Sequence, residues 1–320
     1  MRRSALLGFM ICAALAAGCP RSASAACSRS SPCIDAEPLW LTPSAGRLTL
    51  VSDTAPLPLG KLGGSITATL RFRPVVLNVP APNRNGRDVN VLSHATDLAL
   101  AGRLGIGNRL ELTLVLPAGL YQGGSGIKGV TAQSADAITH TTLHDPRLGF
   151  AYALPWSRPA LSAKLRFEAK LPLGNAEALS GEQSAVASPS FALSSRFGGF
   201  FAGAELGARL RRPSPFFGVR VGSQAAIACG VGYELPNPRL ALSLELYLLP
   251  SLIDSGVARY LPAEWLGSAR WTPRHSSGFS IGFGAGSGLP LSGDSGGSSF
   301  GVGVPSYRAL LFARYAPRDD

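Results

Sequence analysis

Between Leu161 and Leu171 the chain reads Leu-Ser-Ala-Lys-Leu-Arg-Phe-Glu-Ala-Lys-Leu, apolar at every odd position and polar or charged at Ser162, Lys164, Arg166, Glu168 and Lys170. A period of two sends successive side chains to opposite faces of an extended strand, so this segment has one apolar face and one charged face. The pattern recurs. Thr67, Thr69, Arg71 and Arg73 oppose Ile66, Ala68, Leu70 and Phe72, and Glu111 and Thr113 oppose leucines in Leu110–Leu116. Ser243 and Glu245 oppose the leucines of Leu240–Leu248, and Arg308 and Arg314 oppose Tyr307, Leu311 and Tyr315.

Counting such segments predicts strands near 64–77, 88–104, 108–121, 143–154, 160–172, 186–198, 200–211, 218–235, 238–250, 262–272, 278–288 and 304–316, about twelve in all, an even number as in closed bacterial outer-membrane barrels. Abundant Gly (38) and Pro (25) suit short segments joined by turns. The connections alternate. Those at 105–107, 155–159, 198–199, 236–238 and 273–277 are tight, while 78–87, 122–142, 173–185, 251–261 and 289–305 are long and 212–217 is intermediate. Short periplasmic turns and long extracellular loops give that rhythm, with both termini periplasmic.

Alternation alone also fits a soluble barrel with its apolar face inward. About twelve strands, however, enclose more space than aliphatic side chains fill, so lipid outside and charge inside is the consistent arrangement. The fold class is therefore an all-β transmembrane antiparallel up-and-down barrel. Its predicted lumen is lined by Arg71, Arg73, Asp97, Arg103, Glu111, Lys164, Arg166, Glu168, Lys170, Arg196, Glu205, Arg209, Glu245, Glu264, Arg270, Arg308 and Arg314. Aromatic girdles are expected from Trp156, Phe197, Tyr233, Trp271 and Tyr315 beside the short turns and from Tyr121, Tyr247, Tyr260 and Tyr307 toward the long loops.

The first residues, MRRSALLGFMICAALAAGCPRSASA, have the basic start, apolar stretch and small-residue cut of an export signal. Residues 1–25 are read as that signal, 26–60 as a periplasmic N-terminal arm with a small plug as the alternative, and 61–317 as the barrel. A competing cut before Cys19 would make a lipoprotein. The whole chain carries +11; losing Arg2, Arg3 and Arg21 leaves about +8, a basic exported protein that does not meet nucleic acid. Cys27 and Cys33 either pair across a short loop or stay unpaired.

Asp35-Ala-Glu-Pro-Leu-Trp-Leu-Thr-Pro, the Leu57-Pro-Leu-Gly60 lead-in and Leu104-Gly-Ile-Gly-Asn-Arg-Leu-Glu-Leu112 resemble outer-membrane barrels that precede OmpA-type peptidoglycan-binding domains. They are also similar to the transporter-like barrels named for a phenol-degradation (MetA) pathway. The resemblance spans residues 35–316 and implies architecture, location and an assumed transport role. Two departures stand out: the chain stops at Asp320, so cell-wall anchoring is not expected, and Tyr315 is followed by Ala-Pro-Arg-Asp-Asp in place of a terminal aromatic.

The expected function is a passive pore for small solutes, with anions favoured if the basic lumen is open, and with outer-membrane lipid and the barrel-assembly machinery as partners. No cofactor and no enzymatic activity are expected, and the oligomeric state is left open. The alternatives are an occluded structural or adhesive barrel and, remotely, an outer-membrane lipase or deacylase built on His94, whose i+2 neighbour Thr96 departs from the Ser that such a site needs. His140 and His144 with Asp136 and Asp145 are read as a solvated loop in preference to a metal site, and Cys229 as a small lipid-facing residue. Gly293-Asp-Ser-Gly-Gly297 spells a serine-protease nucleophile motif, but no histidine has the matching setting and the peptide lies in a Gly/Ser-rich loop. Gly123–Lys128 lacks the ending of a phosphate-binding loop.

Overall fold

In a computed structural model the alternating segments become a closed ring of strands. The structure describes residues 34–43, 46–83, 86–126, 138, 140–155, 160–217, 219–236, 239–255, 260–273, 278–292 and 300–317, and of 79–83, 86 and 87 the backbone alone. The signal segment, Cys27, Cys33, Asp136, Trp156 and Ser295 lie outside the described residues.

The strands are β1 (Leu62–Asn83), β2 (Gly86–Gly105), β3 (Leu110–Gly123), β4 (Thr142–Leu143), β5 (Arg147–Ala153), β6 (Leu161–Lys170), β7 (Val186–Phe197), β8 (Phe200–Arg209), β9 (Ser214–Phe216), β10 (Val219–Val221), β11 (Gln224–Glu234), β12 (Leu240–Leu248), β13 (Ala263–Trp271), β14 (Phe279–Gly288) and β15 (Tyr307–Tyr315). All but β4, β9 and β10 form the wall, twelve strands each antiparallel to its sequence neighbours. β1 closes the ring on β15, from Gly64 opposite Tyr315 to Phe72 opposite Tyr307. Closure leaves no open edge, which hydrocarbon would not tolerate.

Two connections differ from expectation. The first long loop is mostly strand, because β1 and β2 continue as a tall hairpin to Asn83 and Gly86. The stretch expected to open the eighth wall strand instead forms the small β9–β10 hairpin, and the wall resumes at Gln224.

The outer surface is apolar all round: Ile66, Leu112, Leu165, Leu206, Leu244, Phe283 and Leu311 are all exposed. A soluble monomer rarely shows a contiguous apolar patch above a few hundred Å², so this belt calls for lipid. The inner face is inverted. Thr67, Thr69 and Arg71 are buried on β1, and Lys164, Glu168 and Lys170 on β6.

What buries them is the segment expected as a periplasmic arm or, in the alternative, as a small plug. Residues 34–43 and 46–57 lie inside the ring and bond to its inner wall. The physical reason is charge and space: a ring this wide leaves room inside, and its buried ions need partners, which an extended peptide supplies as carbonyls, N–H groups and carboxylates. The Ala36 N–H donates to the Leu179 carbonyl at the long-loop end, and the Gly60 N–H donates to the Gly105 carbonyl at the short-turn end. The first described residues therefore stand at the opposite end from Tyr315.

Two apolar clusters fix this plug. Leu39, Leu48, Leu50 and Val51 pack in mid-barrel on Phe201, Tyr247, Leu266, Leu310 and Phe312. Ile34 and Ala36 join Val75, Val91, Leu179, Phe216 and Tyr260 in a cap under the long loops. Each fully buried aliphatic side chain contributes roughly 1.5–3 kcal/mol relative to exposure.

Candidate functional site: the lumen and its plug

At the long-loop end an unbroken chain of ions links plug and wall. Lys170 Nζ lies 2.6 Å and His144 Nδ1 3.2 Å from the Asp35 carboxylate. His144 Nε2 reaches Asp97 at 3.2 Å, and Asp97 pairs with Arg71 at 2.8 Å. Arg71 also holds Glu37 at 3.0 Å and donates to the Ala36 carbonyl at 2.7 Å. Arg308 grips Glu37 with both terminal nitrogens at 3.0 Å and turns its Nε to Glu264 at 2.9 Å. Burial alone would lower the His144 pKa, but the flanking carboxylates of Asp35 and Asp97 outweigh it and raise it to about 9. Burial works against the Asp35 carboxylate too, and Lys170 and His144 overcome it, holding the group well below its ordinary range. Nearby Asp145 is pushed up to about 6 by burial, although it accepts the Gly174 and Glu182 N–H groups.

Below this layer the wall holds the plug backbone. Arg209 and the Tyr247 hydroxyl both donate to the Pro38 carbonyl, at 2.6 and 2.8 Å, and Arg147 donates to that of Leu41 at 2.7 Å. The Trp40 ring lies under three cations, 4.2 Å from the Arg209 guanidinium, 5.0 Å from that of Arg147 and 5.9 Å from Lys170 Nζ, within cation–π range. A cavity of about 50 Å³ lies on either side of Trp40, one reaching Asp97 and His144 and the other Glu205 and Tyr247. Farther down, Glu245 accepts the Thr49 and Leu50 N–H groups at 2.8 and 2.7 Å, and Arg314 donates to the Gly46 and Leu48 carbonyls at 2.9 and 3.2 Å. Arg270 also donates to Gly46, at 3.0 Å. Glu205 takes the Ser52 N–H, Arg166 bonds the Ser52 hydroxyl, and Lys164 donates to the Ala55 carbonyl. At the short-turn mouth a vestibule of about 540 Å³ opens between Arg196, Tyr233, Glu234 and Arg239.

The structure thus brings Arg71, Asp97, Arg103, Glu111, Lys164, Arg166, Glu168, Lys170, Glu205, Arg209, Glu245, Glu264, Arg270, Arg308 and Arg314 to the inner wall, with Arg196 at the rim beside Glu234. Arg73 is a correction. A bulge between Phe72 and Val75 gives it a positive φ of 49° and turns it out to an exposed bond with Asn90. Tyr247 and Tyr260 are corrected too: Tyr247 has the parity of Glu245 and points into the lumen, and Tyr260 is buried in the apolar cap. Tyr121 and Tyr307 stand exposed toward the long loops, as do Phe197, Tyr233, Trp271 and Tyr315 toward the short turns.

Sequence reasoning missed Arg147, buried against Glu168, and the roles of Asp35, Glu37, Trp40 and His144. The signal available was the excess of bases among the wall charges, which asks for acids from elsewhere in the chain. His140 and His144 are not brought together, since His140 stacks on Tyr121 while His144 turns inward. Among the described residues no group of three His, Cys, Asp or Glu side chains is placed to hold a metal. Ser93 Oγ lies 2.9 Å from His94 Nδ1 and 2.7 Å from the Gly123 carbonyl, which accepts from it. Cys229 is a free thiol on the outer surface.

No protein-family model matches the chain, and no curated protein matches it in sequence. Among solved structures, the COG4313 outer membrane channel from Pseudomonas putida F1 superposes with a TM-score of 0.58 at 14% identity, over 82% of this chain and 98% of that one. The fold is that of an outer-membrane β-barrel. The NanC porin follows at a TM-score of 0.49 and 8% identity, over 80% and 100% of the two chains. The Ralstonia pickettii toluene transporter TbuX follows at 0.43 and 9%, over 82% and 90%.

Proposed function

We propose that the protein is an outer-membrane channel for small solutes, with its short turns in the periplasm, its long loops outside, and residues 34–58 as a resident plug that holds it closed. One observation carries the sign of the preferred solute. Among the described residues Arg209, Arg270 and Arg314 form no ion pair and are met by plug carbonyls, so a path along this wall passes cations whose only partners are neutral. Fixed positive charge on a confined wall favours anions.

The test is the reversal potential of the purified chain in planar bilayers under a salt gradient, where open events should prefer anions. A cation preference would overturn that sign. The filled lumen also fits the second reading, an occluded barrel that displays its loops. It would be favoured by silence in the wild type together with silence in variants whose plug contacts are cut.

A further inference from the structure

Within the channel reading, on which this inference rests, the plug is bound as a ligand would be. Its Asp35-Ala36-Glu37 stretch sets two carboxylates two residues apart, with the chain bent at Ala36. Each sits in its own basic slot: Asp35 between Lys170 and His144, and Glu37 between Arg71 and Arg308. Arg71 and Arg308 are direct partners across the β1–β15 ladder, so without Glu37 two adjacent guanidinium groups would keep one carboxylate each, Asp97 for Arg71 and Glu264 for Arg308. Asp97 bridges the slots by bonding His144 on one side and Arg71 on the other, which makes them a single two-pronged site. The intervening Ala36 carbonyl is held as well, by Arg71 at 2.7 Å. The wall's own Asp97, Glu264, Asp145 and Glu182 meet part of this buried charge, and the two plug carboxylates supply the remaining close partners. The fork geometry of Arg308 suits a carboxylate and not merely a negative point charge.

We propose that this constellation is a recognition site for a solute carrying two carboxylates, and that Asp35 and Glu37 occupy it as a tethered competitor. A short tether gives the plug a high effective concentration, so a free dicarboxylate binds weakly until the tether's own carboxylates are removed. The site then couples selectivity to opening, because a diacid that takes the slots frees the top of the plug.

The experiment uses the full chain in detergent micelles at fixed ionic strength and measures binding of labelled adipate and butyrate by equilibrium dialysis. The D35N/E37Q variant, checked for a heat-modifiable barrel, should bind adipate about tenfold tighter than wild type and about tenfold tighter than it binds butyrate. Adding Lys170→Met should remove most of that gain. A folded double variant that binds adipate no better than wild type, or no better than butyrate, overturns the proposal. Should the double variant fail to fold, wild type supplies the readout: adipate, unlike butyrate, should raise acrylamide quenching of tryptophan fluorescence as Trp40 leaves its cation stack, and no such change overturns the proposal. Adipate binding by a barrel that never conducts would keep the site and sink the channel reading. Conduction without adipate preference would do the reverse.

Discussion

Gly203 on β8 and Gly230 on β11 face each other across the ladder, and Leu48 of the plug lies in the gap where their side chains would be. A Cβ on Gly203 would come within 2.8 Å of Leu48 Cδ1 and 2.9 Å of Val51 Cγ1. Gly203→Val should therefore overpack the seam by about 1–3 kcal/mol and push the plug from the wall while the barrel persists. Hydrogen exchange over residues 46–52 should speed up, and Leu48→Ala in the same chain should recover part of the loss. Equal exchange in Gly203→Val and wild type would show that the plug does not rest there.

Glu245 makes a second, polar anchor. Its carboxylate receives the Thr49 and Leu50 N–H groups in a buried site. Glu245→Ala should strand both donors at about 1–3 kcal/mol each, with Glu245→Gln much milder because one oxygen remains. Thermal melting of the folded barrel and protease sensitivity of the 46–52 segment should rank the three chains in that order.

The His144 clasp gives a pH dependence of defined direction. The folded pKa, about 9, lies above the ordinary 6.5, so the stabilisation is complete below about pH 6.5 and is lost as pH rises through about 9. A neutral imidazole keeps one N–H for one carboxylate and turns a lone pair on the other. Channel openings should therefore increase between about pH 8 and 10, and His144→Gln should flatten that rise. An increase on acidification through pH 6.5 that His144→Gln abolishes would contradict this assignment.

The outer belt is testable apart from the plug. Leu244 lies exposed on the lipid-facing side of β12, next to inward Glu245. Leu244→Arg should cost about 2–4 kcal/mol of folding free energy in lipid vesicles if it sits near the bilayer midplane. Unchanged vesicle folding would place this face outside the membrane.

The ring of strands was legible because alternation is a local signal, repeated by Lys164, Arg166 and Glu168 on one strand and by Arg308 and Arg314 on another. Tyr247 shared its parity with Glu245, so its inward placement was also readable but was overridden by its position near a strand end. Arg73 was not readable: a bulge changes parity without changing composition. Arg147 lies in the predicted strand 143–154 but shares its inner face with Gly149, Ala151 and Ala153, residues too small to mark which side is inward. The choice between arm and plug for residues 26–60 was not readable for a different reason. An extended segment without alternation gives no periodic signal, and its partners stand far off in sequence, Glu37 with Arg308 and Gly46 with Arg314.

The most direct measurement of the account is single-channel conductance in planar bilayers of the full chain beside a folded variant lacking residues 36–56. The account predicts a wild type that is closed or opens briefly to small levels, and a variant with steady, several-fold larger, anion-preferring conductance. A heat-modifiable variant barrel as closed as the wild type would contradict it.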